Sequence, residues 1–312
     1  MNFNQLLIPI APEQPLSDSF HQALRCANSN ASQVTLLMVI EELAELKEIA
    51  NHSGTTLDLL DKATKIYHAE LKQHVLNLNT LYSNVKFNTQ IRTGIPFIEI
   101  IKSAKEFQSK VIIIDSHRSN KERACQSGST TRHLMRKSEI PIWSISPNST
   151  PIRNVVAAID FSNQDNEGFT DKIISLAIEF CTLTGADLTL CHAWRLESEG
   201  FLRKWSGYTE LDIALVAKKM RTDRAMRLKS LLMPYENSLV NTKVRLLEGD
   251  ARSVLPQFVE KESVDVVILG SLSRSGVAGF LMGNTAESML NQLNCSVITL
   301  KPDAFRSPVL SQ

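Results

Sequence analysis

The run Val266-Val267-Ile268-Leu269-Gly270-Ser271 decides how this chain folds. Four consecutive aliphatic residues, three of them β-branched, with no polar residue between them read as a strand covered on both faces. Val111-Ile112-Ile113-Ile114-Asp115-Ser116 carries the same pattern at a constant offset of 155. At that offset Gly94 falls on Gly249, Gly128 on Gly283 and Thr130 on Thr285. Working outward, each half opens on an apolar run, Leu6 to Ile10 and Val155 to Ile159. A helical stretch follows, then a second run, Val34 to Ile40 and Leu188 to Trp194. Long helical segments are predicted at 56–82 and 209–233, and final strands at Ile140 to Ile145 and Cys295 to Leu300. The polar, Pro-containing stretch Ser146 to Pro151 between the halves has linker composition.

An internal repeat of alternating strands and helices predicts an α/β protein of two tandem, doubly wound parallel-sheet domains. The boundaries expected are 1–146, a linker at 147–154, and 155–312. Right-handed crossovers place any ligand beyond the carboxyl ends of the strands.

Composition narrows the partners. The 312 residues carry 34 Lys+Arg against 33 Asp+Glu, a net charge of +1, with 43% hydrophobic residues. That balance supplies no field for nucleic acid or an anionic membrane, and the apolar fraction suffices for packed cores. No apolar run reaches the roughly 20 residues that span a bilayer, and MNFNQLLIPI lacks the basic start of a secretory signal. Five scattered cysteines without a CxxC pair read as reduced thiols, so a cytoplasmic location is expected.

The segment from Gly270 to Glu287 leaves a buried strand, carries four glycines and several hydroxyls, and re-enters a helix at Asn284. Asn284 is a good N-cap, with Glu287 three residues on as a capping-box partner. Such a helix start is a seat for phosphate. It has neither the Lys of a P-loop nor the position of a dinucleotide fingerprint.

These residues resemble the universal stress proteins of the tandem two-domain type. The nucleotide-binding members carry glycine, two residues, glycine, nine residues, glycine and a hydroxylated residue. Here that frame reads Gly270, Ser273, Gly283 and Asn284, with Thr285 behind it. The resemblance extends to Val155-Val156-Ala157-Ala158-Ile159-Asp160, to Leu247-Glu248-Gly249-Asp250-Ala251 and to Val297-Ile298-Thr299-Leu300-Lys301-Pro302, and so covers essentially the whole chain. It implies a fold of the universal stress protein, adenine nucleotide alpha hydrolase-like kind. It also implies ATP or a related adenine nucleotide as ligand in the second half. Asp160 would read the adenine edge or ribose. Gly270 and Ser273 would face ribose and phosphates, and Gly283, Asn284 and Thr285 would donate to phosphate. No protein metal site is implied, Mg entering only as the counter-ion of ATP.

In the first half Ala11 stands where Asp160 stands, Asp115 replaces the first glycine and Arg118 the second, while Gly128-Ser129 is kept. This domain is expected to be structural or regulatory. Asp115-Ser116-His117 cannot form a triad as contiguous residues, and the seven histidines include no HxxxH pair. His192 reads as a satisfied core or sheet-end residue rather than a catalyst. The family resemblance further implies that Ile142–Ile145 and Val297–Leu300 meet as an internal pseudo-dimer, with a sticky edge for homodimerisation. Three functions follow: a regulatory adenine-nucleotide binder, a scaffold or binder of a more apolar metabolite, and a slow ATPase. For the last, Arg274 is the nearby cation, and neither a general base nor a carboxylate pair for Mg is evident.

Overall fold

The computed structural model describes residues 3–12, 16–50, 54–115, 128–146, 151–160, 167–205, 207–271, 284–290 and 292–310. The first half runs β1 (Gln5–Ile10), α1 (Phe20–Ser29), β2 (Gln33–Ile40), α2 (Glu42–Ala50), α3 (Gly54–Leu81) and β3 (Lys86–Thr93). It closes with α4 (Pro96–Glu106), β4 (Val111–Asp115), α5 (Ser129–Lys137) and β5 (Ile142–Ile145). The second half runs β6 (Asn154–Ala158), α6 (Glu167–Thr184), β7 (Asp187–Trp194), α7 (Glu199–Trp205), α8 (Glu210–Ser230) and β8 (Thr242–Glu248). It closes with α9 (Ala251–Lys261), β9 (Val266–Gly270), α10 (Asn284–Leu290) and β10 (Ser296–Leu300). β6 therefore begins on Asn154, the last residue of the expected linker, and residues 147–150 lie outside the described residues.

Within each half the strands are parallel, and the two sheets are one. Ten strands run β3-β2-β1-β4-β5-β10-β9-β6-β7-β8, joined at the centre by antiparallel pairing of β5 with β10, Trp143 opposite Ile298. The final strands thus meet inside one chain, as the resemblance implied. This pairing leaves β3 and β8 as the outer strands.

Strands β4 and β9 sit inside the sheet, so both their faces need cover, and their unbroken aliphatic sequence supplies it. Val266, Val267 and Ile268 are fully buried. On one face Ile113 and Ile268 join a core with α1 and α6 that runs unbroken across the junction. At its centre Phe180 of α6 packs edge-on against Trp143 of β5, centroids 5.0 Å apart, and stands 5.8 Å from Phe3. On the other face Leu134 and Met135 of α5 pack in the core shared with Ala286 and Met289 of α10.

Charge also crosses the junction. The Glu287 carboxylate pairs with Arg136 of α5. Both side chains are about one-third exposed, 37% and 36%, so Arg136→Ala is expected to cost only about 0.2–1 kcal/mol in a denaturant titration. The chain beyond β10 folds back over the first half, where the Ser307 amide donates to Glu139 at 2.8 Å and Val309 is buried.

The matched glycines of the repeat have a backbone cause. Gly94 and Gly249, just before α4 and α9, hold φ of +137° and +134°, which side chains rarely adopt. A Cβ at Gly249 would also lie 2.6 Å from Val254 Cγ1. Among the described residues, Cys26, Cys181, Cys191 and Cys295 are free thiols, and burial raises their pKa to about 11 or 12. None of the described helices is long and apolar enough to cross a membrane.

Candidate functional site

In the second half β6 lies between β7 and β9. The chain leaves β6 towards β7 and β8 and returns to β9 on the other side, so the β6–β9 boundary is where strand order reverses. Open α/β sheets take ligands in the crevice at that point. Ala158 is in register with Leu269, which brings Asp160 and Gly270 out at the same carboxyl edge.

The backbone leading to Asp160 is held firmly. Ile159 donates its amide to Cys191 at 2.9 Å and accepts from His192 Nδ1 at 3.1 Å. His192 is 1% exposed. Burial pushes its pKa down, a backbone hydrogen bond to Ile159 works against that, and Arg224 and Arg227 push further down. It is the core residue expected from sequence. Asp160 itself is half-buried at the mouth of the crevice.

Gly270 has a neighbour that sequence reasoning missed. A Cβ built there would lie 2.5 Å from Cε1 and 2.9 Å from Cζ of Phe169, in the first turn of α6. The close approach that requires glycine here is made by an aromatic ring of the protein itself. Asn284 and Thr285 are the first two residues of α10. Ser273, Gly283 and Arg274 lie outside the described residues.

Beside the crevice lies a buried cation. Lys301, just past β10, is 4% exposed. Its Nζ donates to the Ser271 carbonyl at 3.4 Å and stands 5.0 Å from the Phe305 ring centroid. Desolvation lowers its pKa from 10.5 to about 7. The repeat gave no warning, because the offset of 155 puts Ser146 at the matching position. Between pH 7 and 10.5 the unfolded chain binds a proton that the folded chain does not, so stability rises with pH across that window. Lys301→Met is expected to stabilise the fold by about 1–4 kcal/mol near pH 6, with the gain shrinking as pH approaches 10 in urea titrations.

The corresponding boundary of the first half, between β1 and β4, is built differently. Ala11 follows β1, and Asp115 ends β4. Asp115 accepts from Ser19 Oγ at 3.3 Å, and Ser19 in turn meets Ser17 at 2.8 Å. Ser19 holds the N-cap position of α1 but makes no capping bond. The carboxylate there is engaged with the protein's own hydroxyls. Ser116, His117 and Arg118 lie outside the described residues.

A twice-repeated unit of this topology, closed by antiparallel pairing of its last strands, defines the class. The family model of the universal stress protein family matches residues 2–145 and 151–301. The chain belongs to that family, which is of the stress-response type. Relatives include universal stress protein E of Photorhabdus laumondii, 21% identical over 99% of this chain and 98% of that protein. Universal stress protein E of Escherichia coli is 19% identical over 98% and 96%. Among solved structures, a universal stress protein from Archaeoglobus fulgidus aligns with a TM-score of 0.65 at 17% identity, covering 96% of this chain and 99% of that one. A functionally unknown protein from Pseudomonas aeruginosa aligns at 0.66 and 21%, covering 96% and 93%. Both likenesses concern the fold.

Proposed function

We propose that this stress-response protein binds an adenine nucleotide in its second half as a regulatory ligand. The observation that carries the reading is the placement of Asp160 beside Gly270 at the β6–β9 reversal point. There the Asp160 carboxylate accepts hydrogen bonds from the adenine edge or ribose, and Ser273, Gly283, Asn284 and Thr285 take the phosphates. Regulation asks only that the nucleotide bind two conformations unequally, so no chemical step is assigned. The degenerate first half, with Asp115 bonded to Ser19, serves as partner rather than as a second nucleotide site. The free thiols support a reducing, cytoplasmic setting.

Thermal melting tests this. Saturating ATP is expected to raise the melting temperature and GTP to leave it unchanged; at a ligand concentration a hundredfold above Kd the gain is about 2.7 kcal/mol. Asp160→Asn is expected to weaken ATP binding by at least about tenfold, or 1.4 kcal/mol. An Asp160→Asn protein with the ATP shift of the parent would defeat the assignment.

Phe169 favours a second reading. Its ring over Gly270 makes the crevice more apolar than a phosphate-binding loop needs, which suits an uncharged, more apolar metabolite. Stabilisation by such compounds together with no ATP shift would select it. Homodimerisation, in either reading, would use β3 or β8, and the latter carries Lys243, Arg245 and Glu248, charges of the kind that blunt exposed edges.

A further inference from the structure

A second concavity lies at the opposite edge of the sheet, where β1, β2 and β3 begin. It has a volume of about 450 Å³ and is lined by Gln5, Gln33, Thr35, Asn88, Gln90 and Phe107, among others. The registers set Gln5 opposite Gln33 and Thr35 opposite Asn88, and residues two apart on a strand share a face. The polar side chains therefore stand together on one side of three adjacent strands. Strands favour branched and aromatic residues, so four clustered carboxamides call for another reason.

The second half provides the comparison within the same chain. Its matching positions are Asn154, Asp187, Thr189, Lys243 and Arg245. There Lys243 pairs with Asp187 at 3.5 Å, and Asn241 donates to Asp187 at 2.9 Å. That face is satisfied by its own charges. In the first half, among the described residues, no side-chain hydrogen bond ties up Gln5, Gln33, Asn88 or Gln90. Among the described residues, the one charge on the lining, Glu106, is held by Arg92 at 2.6 Å.

A carboxamide donates and accepts at once, as a hydroxyl does, so a row of carboxamides matches a row of hydroxyls. Phe107, half-buried at the cavity wall, offers an apolar surface to the C–H face of a ring. The absence of an unpaired charge on the lining disfavours ions. We propose that this cavity binds a neutral polyhydroxylated small molecule, a sugar or cyclic polyol. The site is separate from the nucleotide crevice and does not depend on it. Its volume lies within the range of small-molecule pockets.

Protein-observed NMR on the full chain tests it, with the side-chain amides of Gln5, Gln33, Asn88 and Gln90 as reporters. The probes are glucose, maltose and myo-inositol, each titrated to tens of millimolar. At least one is expected to give saturable shifts confined to this face. The double variant Gln33→Asp, Asn88→Lys, which installs the ion pair of the second half at two exposed positions, is expected to weaken binding by at least about tenfold. Gln33→Ala alone is expected to weaken it in the same direction and guards against a folding defect in the double variant. The proposal is overturned if none of the three compounds gives saturable shifts, if the shifts spread evenly over the surface, or if both variants bind as the parent does.

Discussion

Phe180→Ala is expected to lower stability by about 3–5 kcal/mol, the cost of deleting a fully buried aromatic ring. Phe180 is 0% exposed. It belongs to α6 of the second half, yet the rings it touches, Trp143 and Phe3, belong to the first. The cavity left would open at the junction, below the β5–β10 pairing, so the loss falls on both halves. Urea unfolding followed by circular dichroism and by tryptophan fluorescence, with Trp143 in one half and Trp194 in the other, is expected to give coincident transitions at a lower midpoint. An early transition confined to half of the dichroism amplitude would mean that the halves are independent and the junction contributes little.

Gly270→Ala carries the second large effect. The added methyl would meet Phe169 at 2.5 Å, closer than packed atoms tolerate, so the ring or the strand end has to shift. Overpacking of this kind costs about 1–3 kcal/mol. If the cause is the ring, Gly270→Ala should cost much less in a Phe169→Ala background, and the double-mutant cycle should show coupling of about 1 kcal/mol or more. Additive effects would show that glycine is needed at this position for another reason. Measuring ATP stabilisation in the same four proteins separates packing from ligand contact. A Phe169→Ala protein that keeps its ATP shift places the ring beside the ligand rather than in its seat.

Much of the architecture was legible because it rests on local pattern. Continuous aliphatic runs marked the interior strands β4 and β9, and the long helical segments predicted at 56–82 and 209–233 appear as α3 and α8. The matched glycines at 94 and 249 flagged a backbone conformation that recurs for the same reason in both halves. What escaped the reading depends on contacts between distant residues. Glu287 has the spacing of a capping partner, and nothing in the sequence says that an arginine 151 positions away pairs with its carboxylate. Gly270 reads as an opening for a ligand, and nothing in the sequence says that Phe169 comes to rest on it. Lys301 follows an apolar strand run, and nothing in the sequence says that its ammonium comes to rest between the Ser271 carbonyl and the Phe305 ring. The carboxamide face went unnoticed because hydrophobic patterning highlights apolar positions and is silent about polar ones that line a concavity.

Co-crystallisation with ATP tests the central claim most directly. One nucleotide per chain is expected, seated at the carboxyl edge between β6 and β9, with its adenine or ribose within hydrogen-bonding reach of Asp160. A crevice without nucleotide at millimolar ATP, or a nucleotide held at Asp115 in the first half, would contradict it.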